Sequence, residues 1–279
     1  MRVTREQERA RARRRHEKVQ AARVAKAQRA ARRRQLLAVV ATVAIVLALV
    51  TGVALAMRGK DDARMPDARS SASAGPPAST GTAAGLHCTP APAPQATPKT
   101  FGTVPDRATA AGKFWVATLE TTCGPITVEL DGRTAPQTVA SFLHLAREGY
   151  WAPSPCHRLT ASGIYVLQCG DPTGTGSGGP GYGFGIEHAP ADGVYPRGTL
   201  AMARTQDPQS NGGQFFVVYR DTQLPTQGGG YTIFGKVTAG LDMVDRIAAA
   251  GSDDSNGPGD GHPKTAISIL KVSVTEKKA

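Results

Sequence analysis

No segment of this chain repeats at a period of about 20–50 residues, which excludes a solenoid or a propeller. The glycine-rich run at 170–185 is followed by no Gly-Lys-Ser/Thr, so it is not a phosphate loop. Asp171 and Asp192 lack acidic or histidine partners at ligand spacing, so no metal site is expected, and nothing calls for a cofactor. Charge is missing from the 22 positions 36–57, close to the roughly 20 apolar residues that carry a helix across a bilayer. Net charge is missing from everything after residue 34. The formal +11 sits entirely in residues 1–34, with 14 Lys/Arg against 3 Glu, and the remaining 19 basic and 19 acidic groups cancel.

That placement gives a topology. A basic tail (1–35) beside the first apolar span is held in the cytoplasm, so a single membrane helix (36–57) puts the rest of the chain outside. Topology accounts for the basic tail, and no nucleic acid partner is expected. Ala54-Leu55-Ala56 fits a small-x-small cleavage site, but the long tail and the 22-residue span favour an uncleaved anchor. No cysteine follows the span to suggest a lipoprotein. Residues 58–112 are mostly Ala, Pro, Ser, Thr and Gly and read as an extended, poorly ordered linker, with Cys88 as a residue able to tether it.

The ordered domain is expected at 113–279. Phe114–Thr121 alternates in the strand period and 126–130 repeats the pattern after a turn, which predicts a hairpin. Thr134-Ala135-Pro136 opens a helix with Val139, Phe142, Leu143 and Leu145 on one face, ending at Gly149, and Leu241–Ala250 reads as a second helix stopped by Gly251. Short strands are predicted at 156–160, 164–169, 214–219, 231–237 and 266–275. So many short strands, about eight in all, with two helices indicate a mainly β fold, a closed antiparallel barrel.

Half of the residues between 170 and 185 are glycine, which suits a backbone folded tightly on itself rather than a helix. Around this loop stand His157-Arg158, Gln168-Cys-Gly-Asp-Pro172, Gly198-Thr-Leu-Ala-Met202, Asn211-Gly-Gly-Gln-Phe-Phe216 and Phe234-Gly-Lys-Val237. In this order and spacing they resemble the cyclophilin family of peptidyl-prolyl isomerases across 113–275. The whole layout is similar to membrane-anchored members from high-GC Gram-positive bacteria.

The resemblance implies a catalyst of X-Pro cis/trans isomerisation acting on extracytoplasmic polypeptides, with no cofactor. It implies Arg158 as the catalytic donor and Gln168 as the residue that orients it. For substrate it implies the backbones of Ala203 and Arg204, the side chain of Gln214, an apolar slot of Tyr165, Val166, Phe216 and Leu224, and Tyr231 at the rim. His157 is placed at the substrate edge or in a structural role, since isomerisation transfers no proton. Several positions depart from the commoner pattern, among them Gln223 where Trp is usual and a longer loop at 225–230. Cyclosporin is therefore expected to bind weakly. The alternative is a cyclophilin-fold binding module or holdase without turnover; the joint presence of Arg158, Gln168 and Gln214 favours the enzyme.

Four cysteines allow three connectivities, and an extracytoplasmic domain favours their oxidation. Cys156–Cys169 and Cys88–Cys123 are the favoured pairs. Parity raises an objection to the first: if Arg158 and Gln168 share a face, Cys156 and Cys169 fall on opposite faces unless a bulge intervenes.

Overall fold

The computed structural model describes residues 86–278. The basic tail, the span at 36–57, the cleavage motif and the first part of the linker lie outside the described residues. Among the described residues, no helix is long and apolar enough to cross a membrane.

The longest periodic runs form the frame. Strands β1 (Phe114–Thr121) and β2 (Gly124–Asp131) make the expected hairpin, paired from Phe114 with Asp131 to Thr121 with Gly124. Alternate residues Trp115, Ala117 and Leu119 of β1, and Ile126, Val128 and Leu130 of β2, point into the core. Helix α1 (Pro136–Arg147) starts with proline in its first turn, where the missing N–H costs nothing. Its N-cap, Ala135, offers no side-chain acceptor. Glu187 supplies one from a distance, accepting from Gln137 N at 2.9 Å and from Thr138 N and Oγ1 at 2.8 Å each. Helix α2 (Leu241–Ala250) buries Met243, Val244 and Ile247 and stops at Gly251, whose φ is 81°.

The remaining strands are β3 (Ser154–Pro155), β4 (Arg158–Thr160), β5 (Val166–Cys169), β6 (Val194–Tyr195), β7 (Thr199–Met202), β8 (Phe215–Val218), β9 (Thr222–Gln223), β10 (Ile233–Ala239), β11 (Asp260–Gly261) and β12 (Ser268–Glu276). Ten of them form one antiparallel sheet in the order β11-β4-β5-β8-β7-β10-β2-β1-β12-β3, and β6 pairs with β9 separately. The fold is thus mainly β with two helices, but the closed eight-stranded barrel does not form. Residues 154–160 give the reason: the first two pair with β12 and the last three with β5. The chain bends between them at Cys156 and His157, so one segment lies near both ends of the ladder without bridging it.

The linker is shorter than its composition suggests. Residues 86–105 form no helix or strand, yet they lie against the domain, fixed by the Cys88–Cys123 disulfide. Backbone bonds run from Thr89 N to Thr122 O at 2.8 Å, Gln95 N to Pro172 O at 2.9 Å and Phe101 N to Pro180 O at 2.7 Å. The Gln95 amide donates to the carbonyls of Tyr150 and Pro153, and Phe101 stacks edge-on against His144. The ordered unit therefore begins before residue 113.

Candidate active site

Strand periodicity builds two faces from β4, β5, β8 and β7. Leu159, Leu167, Val217 and Leu200 stand in register on one face and enter the main core. On the other face Arg158 opposes Gln168, Gln168 opposes Phe216 and Phe216 opposes Ala201, while Thr160, Val166 and Val218 form the neighbouring row. This second face carries its own small apolar cluster: Val166, Tyr195, Ala201, Phe216, Val218 and Leu224 are buried, with Ala203 and Tyr231 partly buried against them. Tyr231 meets Phe216 edge-on at 5.8 Å. The Tyr195 hydroxyl holds Tyr231 by its backbone, accepting from its N–H at 2.8 Å and donating to its carbonyl at 2.9 Å.

A polar border runs beside the cluster. Arg158 Nε and Nη2 donate to Asp260 Oδ1 and Oδ2 at 2.8 and 2.6 Å. That hydrogen bond outweighs burial and raises the guanidinium's pKa, while the same pairing holds Asp260 below its ordinary value. Gln168 lies directly across from Arg158, yet its amide donates to Gln214 Oε1 at 3.0 Å. Gln214 Nε2 in turn donates to the carbonyls of Gly176 and Gly178. Gln168, Gln214, Gly176 and Gly178, with Ala203, Arg204, Tyr182 and Ser210, line a groove of about 350 Å³.

The glycine loop is pinned by Asp171, a buried residue whose role no motif signalled. Oδ1 accepts from Thr173 N and Oγ1 at 2.8 and 2.7 Å, and Oδ2 from Gly178 N and Thr175 Oγ1 at 3.0 and 3.2 Å. Burial alone would raise its pKa, but these bonds together hold it below its ordinary value.

Some expected site residues stand elsewhere. Tyr165 is one residue out of phase with Val166. It packs against the main core, edge-on to Tyr219 at 6.0 Å and under the Arg220 guanidinium, so it is not part of the slot. His157 is only 8% exposed. It lies under Gly176, and burial lowers its pKa. Gln168 Nε2 donates to Gln214 Oε1, while the hydrogen bonds of the Arg158 guanidinium go to Asp260. Ala203 N donates to Gln214 O, leaving the Ala203 carbonyl to meet a peptide. The Arg204 guanidinium knits the 225–230 loop to the site by donating to Gly230 O, Thr205 O and Gln227 O and lying 5.0 Å over the Tyr231 ring.

Both cysteine pairs are disulfides. The parity objection dissolves because the ladder is interrupted at residues 156–157: Cys156 N bonds Ile267 O, and both Cys156 and Cys169 lie in the main core.

The described residues thus form an antiparallel sheet with two helices, a small apolar cluster on the second sheet face and a guanidinium fixed beside it by a carboxylate. Residues 116–274 match the family described as cyclophilin type peptidyl-prolyl cis-trans isomerase/CLD. The chain belongs to that family. It is similar to the "Probable peptidyl-prolyl cis-trans isomerase B" of Mycobacterium tuberculosis (strain CDC 1551 / Oshkosh), 46% identical over 163 residues, 53% of this chain and 51% of that protein. The Mycobacterium leprae protein of the same name is 44% identical over 167 residues, 55% and 54% of the two chains. The match therefore spans about half the length of these relatives. A crystal structure of a Cryptosporidium parvum cyclophilin type peptidyl-prolyl cis-trans isomerase has 31% identity and a TM-score of 0.49, over 59% of this chain and 99% of that one.

Proposed function

We propose that this protein catalyses cis/trans isomerisation of X-Pro bonds in extracytoplasmic polypeptides. The observation that carries the reading is the shared face: Arg158 stands in register with Gln168 and Phe216, so a guanidinium stands beside the apolar cluster of Val166, Phe216 and Leu224, which we read as the slot for the proline ring. Rotation about the prolyl bond is opposed by amide resonance, with a barrier of about 18–20 kcal/mol. A catalyst must bind the twisted state better than either planar one. In that state the prolyl nitrogen becomes pyramidal and gains a lone pair. Arg158, permanently charged, donates to it and favours the loss of conjugation. The slot holds the ring and contributes about 1.5–3 kcal/mol of apolar burial. Gln214 and the Ala203 carbonyl hold the flanking peptide along the groove.

A protease-coupled isomerisation assay tests this on a fragment that begins before Leu86, so that the Cys88–Cys123 disulfide and residues 86–105 are retained. Wild-type protein should accelerate isomerisation. Arg158→Ala should cut kcat/KM by well over tenfold, as expected from losing one charged hydrogen bond worth about 1.5–3 kcal/mol in the twisted state. Absence of catalysis in the folded wild type would return the binding-module alternative.

The basic tail and the span at 36–57 support a second part of the proposal: a single membrane anchor with the isomerase domain outside. Protease added to intact cells should then reach residues 113–279 while a tag at the amino end stays protected. Recovery of the domain in the cytosolic fraction would refute it.

A further inference from the structure

We propose that Asp260 is the positioning residue for Arg158, holding one edge of its guanidinium through a forked carboxylate contact. This rests on the reading of Arg158 as the catalytic donor.

The placement follows from register. In β11 Asp260 opposes Thr160, and Arg158 lies two residues along β4 on the same face. Diagonal neighbours on one face of an antiparallel pair are within reach of long side chains. The contact is bidentate, and both side chains are sheltered, Arg158 at 35% and Asp260 at 26% exposure. A forked pair fixes the guanidinium plane as well as its position. Arginine has five N–H groups. Asp260 takes one on Nε and one on Nη2, so both N–H groups of Nη1 and the second of Nη2 remain available on the opposite edge. A guanidinium held by one edge and free at the other is set to donate to a prolyl nitrogen.

The loop that carries Asp260 is built to hold it still. Asp254, in a left-handed conformation with φ of 58°, accepts from Ser252 Oγ and Gly259 N. Asp253 Oδ1 accepts from Ser255 N, Ser255 Oγ and His262 N. Gly261 passes so close to Asp253 and the backbone of Asp254 and Ser255 that a Cβ there would collide with them. Ala161 N ties the loop to the end of β4 by donating to Gly259 O at 2.7 Å. The polar groups at 252–255 are spent within the loop, whereas the Asp260 carboxylate, steadied by Asn256 Nδ2 donating to Oδ1 at 3.3 Å, reaches Arg158 with both oxygens.

The experiment measures kcat and KM separately, by NMR exchange on a short X-Pro peptide, for the full chain and for Asp260→Ala, Asp260→Asn and Asp260→Glu, each alone and with Arg158→Ala. Asp260→Ala should lower kcat by about tenfold to a hundredfold, the upper end being the scale of a group misplaced by about 1 Å, with KM within about twofold. Asp260→Asn, which keeps the shape, should lie between it and the wild type, and Asp260→Glu should restore part of the loss. In the Arg158→Ala background, Asp260→Ala should cost nothing further. Unchanged or raised kcat in a folded Asp260→Ala or Asp260→Asn protein would overturn the proposal, as would an additional loss in the double variant. Full activity in Arg158→Ala would instead overturn the underlying reading of Arg158.

Discussion

Replacing Asp171 by Asn tests whether the glycine loop is held by one carboxylate. The change keeps size and one carbonyl oxygen. If that oxygen takes the place of Oδ1, the two bonds from Thr173 survive, but the new NH₂ stands opposite the Gly178 N–H and the Thr175 hydroxyl, which both now donate to Oδ2. Two hydrogen bonds to a charged acceptor are lost and one backbone donor faces another donor. At about 1.5 kcal/mol for each bond, the low end for charged groups, the loss is about 3 kcal/mol. For a unit of this size that lowers Tm by about 6–12 °C. The pH dependence has a defined sign. The carboxyl is held below its ordinary value of 3.8, so its stabilisation is complete above that value and disappears as pH falls through the lower folded value. Wild type should therefore lose its margin over Asp171→Asn in that acidic window, and the variant should show no such step. Activity should respond through the chain of contacts: Gly176 and Gly178 hold Gln214, and Gln214 holds Gln168. KM should rise more than kcat falls. Thermal unfolding followed by circular dichroism at several pH values is the assay. A Tm at neutral pH within about 2 °C of wild type, less than 1 kcal/mol on this scale, would refute the reasoning.

Replacing Cys88 and Cys123 together by Ser opens a loop of 35-residue separation, which the chain-entropy model values at about 4 kcal/mol; urea unfolding of oxidised protein should show a midpoint lowered accordingly. Glu187→Ala removes the distant cap of α1 and should cost about 2 kcal/mol, with Glu187→Gln costing about half of that, both read from the same unfolding curves. Cyclosporin should inhibit weakly, because Gln223 stands exposed in β9 with its amide turned to Asp192 O where the family has Trp. The missing indole area and donor cost about 1–3 kcal/mol, or roughly one to two decades of affinity, and nanomolar inhibition in the isomerase assay would contradict this.

What was readable in the sequence tracks the length of each element. The β1–β2 hairpin, α1, α2 and β12 each carry enough residues for a period to declare itself, and their expected and observed limits nearly coincide. Strands β3, β6, β9 and β11 have two residues each, and two residues have no period. Their absence from the sequence reading made the sheet look like eight strands closing on themselves. Residues 86–105 were missed for a different reason. Their composition lacks the apolar surface that signals burial, and they are held instead by a disulfide, backbone bonds and the Gln95 amide. None of these depends on local hydrophobicity.

The site was legible in its strands and illegible in its pairings. Periodicity and register put Arg158, Gln168, Val166 and Phe216 on one face and expelled Tyr165 to the other. The resemblance that had Gln168 orienting Arg158 could not show a carboxylate about 100 residues further along that also reaches it. The charged and forked bond to that carboxylate is roughly twice as strong as a neutral one. Asp260 holds Arg158 through Nε and Nη2, while Gln168 Nε2 donates to Gln214 and is tied through it to the glycine loop. One carboxylate on a two-residue strand thus gives Arg158 a partner that no sequence motif signalled. Choices of this kind depend on which partners the fold brings within reach, so they become readable only once the sheet order is known.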